Sequence, residues 1–296
     1  MRKHTVFVYG TLRKHEKNHG FLVNAKCLAQ QCWTHGFLYD TNLGYPGMVA
    51  GQGRVYGELY QVTEEELKAI DRLEGYEEGR GGNQFERVRR PIYTDWGMKE
   101  AFVYFLVDVN QSNQTPVIYG NWRCRSLLDK EYILYFAYGS CMDHERFRLH
   151  GVDSLFQDIL GKGTLKGYSL RYTHHSSVDG MGRADLVEGD GYVEGKVYQI
   201  QQEALQYLFH REGVHNHTYR PAVIDLEIDG KQIKDVLTFF VVNKKEEVAP
   251  PNHYALEILR GGQGFLSERY LEEVRRDLKE KFNMVVDEGK SSADQV

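Results

Sequence analysis

Short apolar runs alternating with breaks rich in Gly, Asn and Asp dominate the chain, a pattern that predicts strands more often than helices. In the first half the segments Thr5–Tyr9, Arg54–Val62, Glu86–Tyr93 and Glu100–Val109 are rich in Val, Tyr and Phe and are bounded by turn residues. One helix interrupts them. "TEEELKAIDRLEG" opens with Thr63 and carries Glu66 three residues on, the spacing of a capping box; Leu67, Ile70 and Leu73 then share one helical face, and Gly75 stops it. From Gln111, "QSNQTPVIYGNWRCRSLLDKE" starts polar and without a period, which predicts a linker or peripheral segment.

After Glu131 the order recurs: strand "YILYFAY", a Gly-broken region, strand "GYVEGKVYQI", helix "QQEALQYLFHREG", then strands "PAVIDLEI" and "VLTFFVV". "VYGELYQV" laid against "VEGKVYQI" puts Gly57 opposite Gly195, and Glu74-Gly75 falls opposite Glu212-Gly213; 195 − 57 and 212 − 74 both equal 138. Tyr9-Gly10 matches Tyr138-Gly139 at an offset of 138 − 9 = 129, so a connecting loop differs by nine residues between the halves. Solenoid repeats have periods of about 20–50 residues, so this spacing predicts a tandem of whole domains, residues 1–126 and 131–286. The segment Tyr254–Phe282 predicts two further helices around a Gly-rich break, the second starting at Leu266-Ser267, without a counterpart in the first half. Residues 287–296 read as a frayed, flexible tail.

Composition agrees with two domains, since 296 residues exceed the usual size of one. The 20 Tyr, 14 Phe and 30 Gly against 6 Pro suit a strand-rich, turn-rich fold. A net charge of −5 and a pI near 6.2, with no basic block, argue against nucleic acid or an anionic membrane surface as partner. Small molecules or proteins are the expected partners, and no apolar run has the length of a membrane span. Cys27, Cys32, Cys124 and Cys141 have neither framework nor C-x-x-C spacing, and "MRKHTVFVYG" enters a strand without an apolar signal core. A reduced, cytoplasmic protein is expected.

Two repeated pieces carry candidate chemistry. Each first strand ends at a sharp corner, Tyr9-Gly10-Thr11-Leu12 or Tyr138-Gly139-Ser140-Cys141-Met142. Successive backbone N–H groups there can form a nest for a carboxylate, and glycine lets a ligand approach the backbone closely. Each amphipathic helix ends on a glutamate, Glu74 or Glu212, where a negative charge opposes the helix dipole at a cost of about 0.3–1 kcal/mol when exposed. Glutamates kept against local preference invite a functional reading; a pair of solvated surface carboxylates inherited by duplication is the alternative.

In the second half "YFAYGSCMDHERF", "GRADLV", "GYVEGKVYQI", "HREGVHNHTYRPAVIDL" and "PPNHYALEILRGGQG" follow the order seen in γ-glutamylcyclotransferases, which this half resembles throughout. The first half, with "VFVYGTLR", "GYPGMV", "VYGELYQV", "LEGY", Arg87 and "YGNWR", resembles the γ-glutamylamine cyclotransferase and AIG2-like branch. The resemblance implies an α+β fold of two tandem small β-barrel domains with flanking helices, each with a pocket where the Tyr-Gly corner holds a small-molecule γ-glutamyl substrate. Glu74 and Glu212 would be the catalytic bases. In such enzymes the α-amine attacks its own γ-carbonyl, giving 5-oxoproline and expelling an amino acid or amine, with no cofactor and no metal. Tyr254 corresponds to the family's substrate-contacting tyrosine, and Tyr119 is its candidate counterpart in the first half. Because its domain also carries the C-terminal segment, the Glu212 site is expected to be the better supported of the two. Cys141-Met142, where the family often has Asn-Leu, and the His-rich "REGVHNHTYR" depart from the pattern and imply altered preference or lost activity.

Two other functions compete: a non-catalytic γ-glutamyl or amino-acid binding protein with degenerate domains, and an enzyme removing a γ-glutamyl protecting group in biosynthesis. His210, His215 and His217 lack a third spaced ligand type to complete a metal site, and His174-His175 read as turn residues. Cys141 has no argued base partner as a nucleophile, and Leu12 stands at the matching place. "GRGGNQFERVRR" reads as a solvated loop and strand, and "LSERYLEEVRRDLKEKF" as a surface helix with charges at i, i+4 spacing. The sequence leaves the leaving group and the oligomeric state open.

Overall fold

The computed structural model of the chain describes residues 2–107 and 114–287. It divides into two compact units, Met1–Arg125 and Ser126–Val296. The expected strand end at residues 108–109, the start of the linker at 111–113 and the tail beyond residue 287 lie outside the described residues.

In the first unit β1 (Lys3–Val8) enters the interior and is followed by a long hairpin, β2 (Lys26–Asp40) and β3 (Pro46–Thr63). Helix α1 (Glu64–Leu73) comes next, then β4 (Phe85–Thr94), β5 (Gly97–Leu106) and the short β6 (Thr115–Pro116). β1 lies antiparallel to β3 and parallel to β5; β5 pairs with β4, β4 meets β2 through Trp33 and Tyr93, and β2 pairs back with β3. The pairings therefore run full circle, and β6 adds to the outer edge of β2. Alternation along β1 places Phe7 and Tyr9 in one apolar cluster with Met48, Leu59, Val103 and Trp122. Val6 and Val8 point the other way, into a second cluster with Leu67 and Ile70 of α1. The predicted capping box forms: Glu66 N–H donates to Thr63 Oγ1 at 3.2 Å, and Thr63 N–H donates to Glu66 Oε2 at 2.7 Å. Three glutamates in the first turn of α1 add a favourable interaction with its dipole.

The second unit repeats the plan with β7 (Ile133–Ala137), α2 (His144–Leu149), β8 (Ile159–His175), β9 (Gly182–Ile200), α3 (Gln202–Arg211), β10 (Tyr219–Ile228) and β11 (Lys231–Val241). Its strands close into a barrel in the order β10-β11-β7-β9-β8, the same cyclic order as β4-β5-β1-β3-β2. It then adds α4 (Asn252–Gly262) and α5 (Glu268–Phe282), with Ser267 capping α5 by accepting from Tyr270 N–H.

The two landmark glycines share one physical cause. A Cβ on Gly57 would stand 2.2 Å from the carbonyl oxygen of Val8, and one on Gly195 would stand 2.2 Å from that of Ala137. Each marks where the end of the first strand presses on its neighbour, so no side chain fits. The "Gly-broken" region of the second half is in fact a long paired strand, β8 with β9, matched in the first unit by β2 with β3. Glycines sit inside these pairings: Gly163 stands opposite Gly195, and Gly51 and Gly53 lie against the ring of Phe37.

Candidate active site

Glu74 and Glu212 are the residues that close α1 and α3. Their backbone N–H groups donate to Ile70 and Leu208 carbonyls at 2.9 and 2.8 Å, and the next residues, Gly75 and Gly213, turn left-handed with φ of +65° and +58°. The helix end thus aims both carboxylates by the same backbone geometry, toward the corner that ends the first strand. Tyr9, Gly10, Thr11, Leu12 and Glu74 all line one cavity of about 460 Å³ in the first unit. Tyr138, Gly139, Ser140, Cys141, Glu212 and Tyr254 line one in the second unit of only about 30 Å³.

The corner is built alike in both. Tyr9 Oη donates to the Tyr104 carbonyl at 2.7 Å, and Tyr138 Oη donates to the Phe239 carbonyl at 2.6 Å, each reaching to the strand parallel to the first. Burial pushes both hydroxyls well above the ordinary tyrosine range, so they remain donors, with the nearby glutamates adding to the effect. Gly10 is required by contact: a Cβ there would come within 2.5 Å of Pro46. The backbone N–H groups of Gly10, Thr11 and Leu12 find no acceptor among the described residues, while Arg13 N–H and Asn18 N–H fold the loop onto Gly10 and Thr11 carbonyls. An open set of donors beside a carboxylate suits a ligand that is anionic at one end and basic at the other.

Electrostatics separate the two carboxylates. Burial raises the Glu74 carboxyl from the usual range to about 7. The group is packed about by protein and meets solvent through the cavity, so it stands near half-ionised at neutral pH. Burial also raises Glu212, but the Arg211 guanidinium and the Cys141 thiol, which donates to Glu212 Oε1 at 3.5 Å, both pull it back. Arg211 further binds Cys141 Sγ at 3.1 Å through Nε and Ser140 Oγ at 2.9 Å. Its counterpart in the first unit, at the offset of 138, is Leu73.

The loops are anchored by different means. In the first unit Arg13, 1 % exposed, donates to Glu58 at 3.1 Å and to Asn121 at 2.6 Å; Glu58 also accepts from Lys14 N–H and Tyr60 Oη. In the second, Met142 lies where Arg13 does, outside the cavity lining, and its carbonyl accepts from Lys196 Nζ at 2.8 Å. Arg260 of α4 grips Asp143 there. The same helix carries Tyr254, whose hydroxyl accepts from Ala184 N–H at 3.2 Å and sits 3.3 Å from where a Gly139 Cβ would be. Tyr119, by contrast, is absent from the first cavity's lining and stands in the short helix Ile118–Gly120 with φ of +65°. Sequence reasoning missed Pro46 and Ala184, the wall opposite each corner. Their positions correspond at the offset of 138 already set by the glycines, inside "GYPG" and "GRAD", and that alignment was the available signal. Tyr45, Gln84 and Tyr104, which complete the first cavity, carry no comparable local mark.

Residues 6–124 match the family model of Gamma-glutamyl cyclotransferase, AIG2-like, and residues 192–274 match the AIG2-like family. The Bacillus subtilis protein named "Putative gamma-glutamylcyclotransferase YkqA" is 41% identical over 278 residues, 92% of this chain and 96% of its own. Its crystal structure superposes with a TM-score of 0.83, over 94% of this chain and 98% of that one. The Niallia circulans γ-L-glutamyl-butirosin B γ-glutamyl cyclotransferase is 35% identical over 119 residues, 40% of this chain and 74% of its own. Fold and paired sites thus define a tandem α+β protein of two like barrels. The chain belongs to the γ-glutamylcyclotransferase family.

Proposed function

We propose that the first unit is a γ-glutamylcyclotransferase in which Glu74 moves the protons and the Tyr9–Leu12 corner holds the substrate. The observation that carries this reading is a carboxyl poised near pH 7 on the wall of a cavity of about 460 Å³ that also presents three open backbone donors. That volume falls within the range of about 300–1,000 Å³ typical of small-molecule sites.

Ring closure is intramolecular, so holding the γ-glutamyl chain in a near-attack conformer supplies up to about 7–11 kcal/mol of the barrier. Proton traffic is the remaining task. The α-ammonium must lose one proton to attack the γ-carbonyl carbon and a second once the new C–N bond forms. The departing nitrogen takes up one proton as the old C–N bond breaks, and a second in water. A carboxyl with a pKa near 7 can accept and return these protons, a role worth about 10²–10⁴ in rate. The products are 5-oxoproline and an amino acid or amine. Backbone N–H groups at the corner either bind the α-carboxylate or stabilise the developing oxyanion.

The second unit keeps the same groups in a space of about 30 Å³, enough for water and too small for a glutamyl chain. We infer that it does not turn over substrate in this conformation, which reverses the ranking expected from the sequence. The test is release of 5-oxoproline from a panel of γ-glutamyl amino acids, γ-glutamyl amines and glutathione. Release that survives Glu212→Gln and is lost in Glu74→Gln supports the assignment; no release from any member of the panel, with ligand binding intact, makes the protein a binding module.

A further inference from the structure

The first cavity has a buried floor and an exposed mouth, and its charges are divided between them. Phe7, Tyr9, Thr11, Leu12, Phe85 and Tyr104 are buried, whereas Lys17 and Gln84 are exposed and Tyr45 half-buried. At the mouth Gln84 Nε2 donates to Tyr45 Oη at 2.8 Å, bridging the segment after α1 to the turn between β2 and β3. Lys17 reaches over the same turn: its ammonium would lie 3.6 Å from a Cβ on Gly44. Among the lining residues Glu74 is the one carboxyl and Lys17 the one cationic side chain. Lys17 has no hydrogen bond or ion pair among the described residues.

Resting on the cyclotransferase reading, we propose that Lys17 selects substrates whose leaving group carries a carboxylate, so that the first unit acts on γ-glutamyl amino acids or peptides in preference to γ-glutamyl amines. The glutamyl part must reach Glu74 and the corner at the floor, which leaves the departing half directed outward. The one unpaired cation it meets there is Lys17. A carboxylate on the leaving group gives that ammonium a partner, while a neutral amine leaves it as it is in the free protein. Gly44 keeps the ammonium free of a side chain on the turn beneath it. Because Lys17 is exposed, the gain is a preference and not an absolute requirement.

The experiment uses the full chain carrying Glu74→Gln, in which binding is read without turnover, and compares γ-glutamyl-alanine with γ-glutamyl-alanine amide by calorimetric titration. The acid is expected to bind about fivefold tighter than the amide at low salt. Adding Lys17→Gln should abolish that ratio and Lys17→Glu should invert it, as should about 1 M salt erase it, where the screening length falls to about 3 Å. A ratio unaffected by both substitutions overturns the inference, because the glutamyl α-carboxylate common to both ligands then accounts for any contact with Lys17. Native protein supplies the separate control: if the ratio responds to Lys17 but no 5-oxoproline is released from either ligand, the inference stands and the cyclotransferase reading falls. Failure of both ligands to bind overturns both.

Discussion

The two barrels hold the same corner and the same carboxylate, and they differ in the room between them: about 460 Å³ in the first unit, about 30 Å³ in the second. The difference lies in what supports the corner. The first unit ties its loop from beneath with the buried Arg13, Glu58 and Asn121 group, which leaves the ligand side free. In the second, α4 ties the loop from Asp143 and brings the Tyr254 hydroxyl against Gly139 and Ala184, on the wall of the smaller cavity. A retained acid and corner are therefore weak evidence of a usable site; the packing between them sets the space. The carboxylates follow suit, since Glu74 faces a cavity and Glu212 faces Cys141 and Arg211.

The comparison breaks most directly at the carboxylates. Glu74→Gln should lower 5-oxoproline release about 10²–10⁴-fold while Glu212→Gln changes it less than twofold, measured by product quantification under saturating substrate. Equal losses would mean that both sites work. Next in size is the anchor. Arg13→Met leaves the buried Glu58 without its cation and should destabilise the first unit by roughly 3 kcal/mol, the low end because Lys14 N–H and Tyr60 Oη still donate to it, read from hydrogen exchange in β1 and β3, with little change in β7 and β9. Tyr254→Ala, at a half-buried position, should cost the second unit about 1–2 kcal/mol, less than a full core truncation, and enlarge its cavity. If Tyr254 is the obstruction, this variant gains protection of the second unit's amides by 5-oxoproline, an effect absent in native protein.

Smaller effects come from pH. Activity should rise about tenfold per pH unit below pH 7 and level off above it, as Glu74 becomes the base, so a kcat/KM profile without an ascending limb near 7 would contradict its role. The same raised pKa sets the sign of a stability effect. The folded state holds the Glu74 proton more tightly than the unfolded chain, so its contribution is full below about 4.5 and is lost as pH climbs through about 7. Glu74→Gln should therefore stabilise the first unit at pH 8 by about 1 kcal/mol, discounted for solvent reached through the cavity, and leave it unchanged at pH 4. Thermal melts at the two pH values check this.

Local chemistry was legible wherever a residue's role depends on its neighbours in the chain. Thr63 and Glu66 cap α1 as their spacing requires, Gly75 and Gly213 end their helices, and the two offsets of 138 expose the duplication. Those facts follow from backbone sterics and hydrogen-bond geometry within a few residues, and the sequence alone determined them, together with the acid and the corner as a recurring pair. The long strands β2 and β8 escaped notice because glycines along these hairpins are explained only by side chains across the pairing, such as Phe37 of β2 against Gly51 and Gly53 of β3. Tyr119 was expected to pair with Tyr254 by motif, yet it lies outside the first cavity. Which of the two pockets is open was settled solely in three dimensions, because volume is what remains after distant segments pack, and the second cavity is lined in part by a tyrosine that α4 delivers from beyond the last strand.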